Sequence, residues 1–122
     1  IIEPEVDIHI ADKKEAEVIL KKYLISEAKK LKPSEKIIFK LSLPTVDNYY
    51  ADLEKLPNCV RVVALSGGYS QNDADAILAR NHGMIASFSR ALAEGLTAQM
   101  SDAEFTKTLG ASIKSIYEAS IA

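Results

Sequence analysis

The stretch "IIFKLSLP" at residues 37–44 decides how the fold is interpreted. Most of it is an apolar run typical of a strand that is covered on both faces of a parallel sheet, and Pro44 is a natural end to such a strand. Lys40 interrupts the run with a positive charge between Phe39 and Leu41. Because a buried charge is costly unless it is paired, the lysine needs a structural or a chemical reason to be there.

Working outward from this stretch, the chain alternates between strand-like and helical patterns. Aliphatic or β-branched runs predict four strands, at Ile1–Ile8, Lys36–Leu43, Val60–Ser66 and Met84–Phe88. Between and after them the patterns predict helices from Asp12 to Pro33, over Val46–Leu56, from Ser70 and from Ser101, with a short helical turn at Ser89–Gly95. This alternation indicates right-handed βαβ units on a parallel sheet.

The helix starts carry recognisable capping sequences. Ser70 with Asp73, Ser101 with Glu104, and Asp12 with Glu15 have the three-residue spacing of a capping box. The first helix has an apolar stripe, which predicts that charged residues fill its exposed face; the stripe consists of Ala16, Ile19, Leu20, Tyr23, Leu24, Ala28 and Leu31.

The composition narrows the class of protein. The chain has 122 residues, 48% hydrophobic and 26% charged, as is ordinary for one globular domain. A net charge of -2 argues against a nucleic-acid partner, and no apolar run reaches the roughly 20 residues of a membrane span. Cys59 is the single cysteine, so we expect no internal disulfide and a cytoplasmic location. The opening "IIEPEVDI" is not a signal peptide, and we expect the chain to begin inside a larger protein.

Two carboxylates accompany the lysine. Alternate residues of a strand share a face, so Glu3 and Glu5 point the same way on the first predicted strand, while Lys40 shares its face with Ser42. One interpretation is an internal ion pair, or a lysine that reaches out at the end of the sheet. The other is a catalytic amine that attacks a carbonyl, with a neighbouring carboxyl group handling the protons. The residues alone leave both open.

A phosphate site is the second chemical feature. In "ALSGGYS" (64–70), Gly67 and Gly68 form a tight strand-to-helix turn whose backbone N–H groups could hold a phosphate. In "SFSRAL" (87–92), Arg90 follows the next strand, and a guanidinium suits a phosphate. A simple turn and a surface arginine are the alternatives. The loops after the last two strands of a (β/α)8 barrel are a recurrent phosphate site, which favours the two acting together.

Other reactive residues give no further site. His9 and His82 are interpreted as surface or loop residues, and Cys59 as a buried filler. No cluster of histidine, cysteine and carboxylate has the spacing of metal ligands, so we expect no metal.

The motifs "EPE" (3–5), "FKLSLP" (39–44), "LSGGYS" (65–70) and "SFSRAL" (87–92) come in an order that resembles the class I, or Schiff-base, fructose-1,6-bisphosphate aldolases. The likeness runs from Ile1 to about Ile121 and is greatest to the shorter bacterial branch. It implies that Lys40 is the Schiff-base lysine in barrel strand six, with Glu3 in strand five as proton shuttle and Glu5 as a second carboxylate. It further implies that one substrate phosphate is bound by Ser66, Gly67, Gly68 and Arg90.

The resemblance also implies a fold and a function. The fold would be α/β, with residues 1–122 forming the C-terminal half, about four βα units, of a TIM (β/α)8 barrel. The function would be the reversible cleavage of fructose 1,6-bisphosphate to dihydroxyacetone phosphate and glyceraldehyde 3-phosphate in glycolysis and gluconeogenesis, a lyase reaction without cofactor. The expected partners are the sugar phosphate, the missing N-terminal half of the barrel and, in a homo-oligomer, further copies; no nucleic acid or membrane is expected.

The chain departs from the family in three respects. Animal members have Tyr-Gly where this chain has Phe88-Ser89, which puts a backbone contact of that glycine in doubt. The functional tyrosine of their C-terminal tail has no counterpart that we assign to Tyr117. Strands one to four are absent, with the aspartate and two lysines used for carbon–carbon cleavage and the other phosphate, so we expect the chain to be inactive by itself. The alternative function is a non-catalytic α/β module that binds a phosphorylated metabolite.

Overall fold

The computed structural model describes residues 1–122 and contains five helices and three strands. The helices are Lys13–Ala28 (α1), Ala51–Glu54 (α2), Gln71–Leu78 (α3), Arg90–Ala93 (α4) and Asp102–Ile121 (α5). The strands are Ile37–Ser42 (β1), Cys59–Leu65 (β2) and Ile85–Ala86 (β3). The predicted alternation of strands and helices is therefore confirmed from β1 onward. None of the helices combines the length and the apolar character needed to cross a membrane.

The three strands form one parallel sheet in the order β1-β2-β3. Lys40 is paired in register with Val63, and Val63 with Ile85. One face of the sheet packs against the helices, and its residues are almost completely buried: Phe39, Leu41, Val62 and Ala64. Since side chains alternate between the two faces, Lys40 lies on the other face, where it is only partly exposed.

The prediction of a strand at Ile1–Ile8 is wrong, because these residues form no regular strand. Only Ile2 pairs with β1: its amide donates to the carbonyl oxygen of Ile38 at 2.9 Å, and its carbonyl accepts from the amide of Lys40 at 2.8 Å. The next amide of a parallel ladder would come from Pro4, which has no N–H. The first segment (residues 1–8) therefore lies along β1 without extending the sheet as a full strand.

Two other elements are shorter than predicted. β3 has two residues instead of Met84–Phe88, because only one of its edges has a partner, at Val63 and Ala64 of β2. α2 has four residues instead of Val46–Leu56. The chain takes a left-handed conformation at Asn48, with a φ of 58°, and a right-handed helix cannot pass through such a residue.

The capping predictions are right for α3 and α5. The hydroxyl of Ser70 accepts from the amide of Asp73 at 3.1 Å. Ser101 and Glu104 form a reciprocal capping box at the start of α5. Asp12 precedes α1 but makes no side-chain cap, so that predicted capping box is wrong. The backbone of Asp12, at φ -98° and ψ 27°, lacks the extended conformation that a capping side chain needs.

The predicted division of α1 into an apolar and a charged face is also only partly right. Ile19 and Tyr23, assigned to the apolar stripe, are exposed, whereas Lys13 and Glu17 are buried. Leu20 and Leu24 do pack against the core. The buried charged pair is explained by contacts with a loop far along the sequence.

Candidate active site

The predicted site residues converge on one small cavity at the carboxyl ends of the strands, about 190 Å³ in volume. All of them except Gly68 line it: Glu3, Glu5, Lys40, Ser66, Gly67 and Arg90. Leu65, Ser87 and Ser89 complete the wall. The lining is almost entirely polar and carries charges of both signs, which suits a polar, anionic ligand better than an apolar one.

Lys40 and Glu3 form the closest charged pair of the cavity. The Nζ of Lys40 lies 2.9 Å from Oε1 of Glu3. The pairing of Ile2 with Phe39 brings this about, because it places the following residues of the two segments side by side. The side chain of Lys40 is 24% exposed and that of Glu3 is 50% exposed. The ammonium group is thus mostly buried but open to the cavity, and a proton can pass directly between the two groups.

Glu5 is paired with Arg90 rather than with Lys40. Its Oε1 lies 3.7 Å from Nη2 of Arg90, and both side chains are more than half exposed. At this distance and exposure the pair is weak. A phosphate that entered the cavity could therefore bind Arg90 at little cost, because the contact that it would replace, the one with Glu5, is weak. The resemblance places Glu5 in a carboxylate network with Lys40, and the structure shows this contact with Arg90 instead.

The Gly67–Gly68 turn has the backbone conformation that glycine permits. Gly67 has a φ of 63° and Gly68 a φ of 105°, both in the left-handed region. A side chain on Gly67 would approach Cγ2 of Ile8 to 3.2 Å, and one on Gly68 would lie 3.9 Å from Nη1 of Arg90. Gly68 therefore lies beside Arg90 although it does not line the cavity. The turn thus places the backbone of Gly68 next to the guanidinium of Arg90.

Several polar neighbours of the cavity were not predicted from the sequence. Ser87 and Ser89 both face the cavity, and Ser89 precedes α4 without capping it. The available signal was their position at the end of the predicted strand, just before Arg90. His9, interpreted as a surface residue, is exposed, but its Nε2 lies 3.8 Å from the position of a side chain on Gly68.

The remaining candidates lie apart from this chemistry. No group of three or more histidine, cysteine, aspartate or glutamate side chains is arranged to hold a metal ion. Cys59 is partly buried at the start of β2, and burial raises the pKa of its thiol. A raised thiol pKa disfavours the reactive thiolate, in keeping with a packing role.

The amino-acid sequence of the chain was compared with those of known proteins. No protein-family model matches the chain. Three curated relatives, each named "Fructose-bisphosphate aldolase class 1", come from Porphyromonas gingivalis, Clostridium acetobutylicum and a Synechocystis species, and are 54%, 55% and 54% identical over 121 residues. The aligned region is 99% of this chain but only 41%, 41% and 40% of the relatives. The chain thus spans about two fifths of the length of the curated relatives it matches.

The resemblance drawn from the four motifs is confirmed by these matches. Over nearly its whole length the chain is similar to class 1 fructose-bisphosphate aldolases.

Proposed function

We propose that this chain carries the Schiff-base lysine and one phosphate subsite of a class 1 fructose-bisphosphate aldolase. The activity is the reversible cleavage of fructose 1,6-bisphosphate to dihydroxyacetone phosphate and glyceraldehyde 3-phosphate. The observation that carries the proposal is the 2.9 Å contact between Lys40 and Glu3 in a cavity that also contains Ser66, Gly67 and Arg90. The names of the relatives support it.

In the proposed mechanism Lys40 passes a proton to a neighbouring base, and its amine then attacks C2 of the ketose. A C–N bond forms, the carbonyl oxygen takes up a proton and the nitrogen loses one, which gives a neutral carbinolamine. Glu3 protonates the hydroxyl group, which leaves as water, and an iminium ion remains. A base then removes the proton of the C4 hydroxyl group and the C3–C4 bond breaks, so that C4 becomes the aldehyde carbon of glyceraldehyde 3-phosphate and the electron pair of the bond passes to the iminium, which becomes an enamine. Protonation of the enamine at C3 restores the iminium ion. Hydrolysis reverses the first steps and frees the lysine.

The phosphate subsite would orient the carbonyl for this attack. Backbone N–H groups around Ser66, Gly67 and Gly68, together with Arg90, would hold one phosphate of the substrate. The two halves of this subsite follow β2 and β3, which are neighbours in the sheet. An anchored phosphate lowers the entropic cost of bringing C2 to the lysine, which is a major source of rate acceleration.

We further propose that residues 1–122 form the C-terminal half of a (β/α)8 barrel. The first segment, β1, β2 and β3 would be strands five to eight, which accords with their parallel direction and their order in the sheet. β3 pairs along one edge only, and next to it α5 exposes the apolar side chains of Ile113, Tyr117 and Ile121. These surfaces suit a covering by the other half, since sheet edges are rarely left open.

The other half would correspond to the part of the relatives that this chain does not match. It would supply the base for carbon–carbon cleavage and the second phosphate site, and it would close over the exposed side of Lys40. The chain by itself would then be inactive. A cytoplasmic location, where sugar phosphates are metabolised, is part of the same proposal.

A non-catalytic metabolite-binding module is the second candidate function, and nothing specific favours it. A module that only bound a phosphate would not need Lys40 and Glu3 in contact beside the phosphate turn. Reduction of a mixture of enzyme and dihydroxyacetone phosphate with borohydride separates the two. Only the aldolase fixes the substrate covalently, and peptide mapping should find it on Lys40.

A further inference from the structure

A buried ion pair joins α1 to the loop that follows β1. Lys13 and Glu17 lie one turn apart on α1, and their side chains are 9% and 1% exposed. The ammonium of Lys13 donates to the carboxylate of Glu17, to the carbonyl oxygen of Leu43 at 2.7 Å and to the hydroxyl of Thr45 at 3.1 Å. An ammonium group has three donors, so Lys13 is fully satisfied.

Glu17 holds the same loop from its other side. Its Oε2 accepts from the backbone amide of Thr45 at 3.0 Å, and its Oε1 accepts from that amide at 3.1 Å and from the Thr45 hydroxyl at 3.2 Å. The pair therefore contacts backbone atoms at both Leu43 and Thr45. Backbone contacts of this kind fix where the loop lies, independently of how its side chains pack.

The loop is directly connected to the candidate active site. Leu43 follows Ser42, whose hydroxyl binds both backbone groups of Val6, and it comes three residues after Lys40. Val6 in turn ends the short stretch that carries Glu3 and Glu5. Burial, and next the negative charge of Glu17, raise the pKa of Tyr69, which follows the Gly67–Gly68 turn.

Stability alone does not account for the pair. Replacing a buried ion pair by apolar residues of similar volume is often neutral or stabilising, because two charges must be removed from water. An apolar pair could pack α1 against the sheet but could not bind the Leu43 carbonyl or the Thr45 amide. We propose that Lys13 and Glu17 are positioning residues that fix the carboxyl end of β1 and thereby the placement of Lys40 relative to Glu3. The catalytic part of this inference rests on the proposed function.

The test is a double variant of the full-length protein, Lys13→Met with Glu17→Leu, which keeps volume and removes the backbone contacts. We expect a variant that still folds, with a lower melting temperature because the Leu43 carbonyl and the Thr45 amide lose their partners, and a KM within about twofold of the wild type, since the pair does not touch substrate. The rate at which borohydride traps dihydroxyacetone phosphate should fall at least about tenfold, because a misplacement of about 1 Å can cost 10²-fold in rate. Lys114→Met with Glu118→Leu is the matched control, an exposed pair of the same spacing on α5, and should keep the wild-type rate.

A second measurement does not depend on activity. Hydrogen exchange should be faster in the double variant at the amides of Val6 and Lys40, which bind Ser42 and Ile2, and unchanged in β2. If the wild type traps no substrate, the proposed function is wrong. The hydrogen-exchange rates still show in that case whether Lys13 and Glu17 position β1. Should the double variant not fold, Thr45→Val removes only the hydroxyl contacts, and a several-fold slower trapping with faster Val6 exchange is expected. Wild-type exchange at Val6 and Lys40 in a folded variant would overturn the inference.

Discussion

The hydroxyl of Ser42 binds both backbone groups of Val6, accepting from its amide at 2.9 Å and donating to its carbonyl at 3.0 Å. Ser42 is 2% exposed, so these bonds are shielded from water. They hold the first segment against β1 beyond Pro4, where the backbone hydrogen bonds between the two segments stop. The chain is therefore fixed at Ile2 and again at Val6, and the two glutamates between these points reach into the cavity from a defined backbone.

The role of Glu3 can be tested by Glu3→Gln, which keeps shape and removes the acid. If Glu3 moves the protons of imine formation, the trapping rate should fall by about 10²–10⁴-fold, the usual contribution of a general acid–base. Substrate affinity should change much less, because Glu3 contacts Lys40 and not the phosphate turn. Glu15→Gln, at an exposed position of α1, is the control. A Glu3→Gln enzyme with near-normal turnover would exclude the proton-shuttle role.

Arg90 is predicted to bind a substrate phosphate. Arg90→Ala should raise the KM for fructose 1,6-bisphosphate by about 10- to 100-fold, as expected for the loss of a hydrogen bond to a charged group. Activity on an analogue that lacks this phosphate should be nearly unaffected. Arg80→Ala is a matched control, because Arg80 pairs with Asp47 on the surface and lies outside the cavity. Equal losses on both substrates would show that Arg90 is structural.

Much of this site could be predicted from the sequence, for reasons that concern particular residues. Lys40 stood out because it breaks an apolar strand, and Gly67 and Gly68 because two glycines at a strand end predict a tight turn. Ser70 and Ser101 predicted helix starts, since capping depends only on residues three positions apart. Each of these signals is local, and the structure confirms the strand, the turn and the two helix starts that they predict.

The features that could not be predicted depend on distant residues. The apolar run of the first segment looks like a strand, but its pairing is set by how Pro4 meets the edge of β1. Lys13 and Glu17 look like two charges of an exposed helix face, and only the loop at Leu43–Thr45 makes them buried. The contact of Glu5 with Arg90 likewise joins segments that are far apart in the sequence. Local patterns carry no information about such contacts.

The structure also predicts a pH dependence at Glu54. Burial raises the pKa of this carboxyl group, against a smaller opposing effect of Arg61. A raised pKa in the folded state means that the protonated form stabilises the fold below the ordinary value near 4.3, and that this stabilisation is lost as the pH rises through the raised value. Glu54→Gln should therefore raise the melting temperature at pH 6–8 and give no gain below about pH 4.

The gain at neutral pH should be below about 1 kcal/mol, because solvent screens a partly exposed group. Melting curves of the full-length protein across this pH range provide the measurement. Glu118→Gln, at an exposed site paired only loosely with Lys114, should show no such difference between the two pH ranges. A gain from Glu54→Gln that persists undiminished below pH 4 would contradict the assignment.

Covalent trapping tests the central claim most directly. The full-length enzyme is mixed with dihydroxyacetone phosphate in the presence of EDTA, reduced with borohydride, digested and mapped by mass spectrometry. We predict a single adduct on Lys40, its loss in Lys40→Ala, and full yield in Lys36→Ala, an exposed lysine just before β1. An adduct of undiminished yield on another lysine in Lys40→Ala, or no adduct in the wild type, would contradict the assignment of Lys40 as the Schiff-base residue.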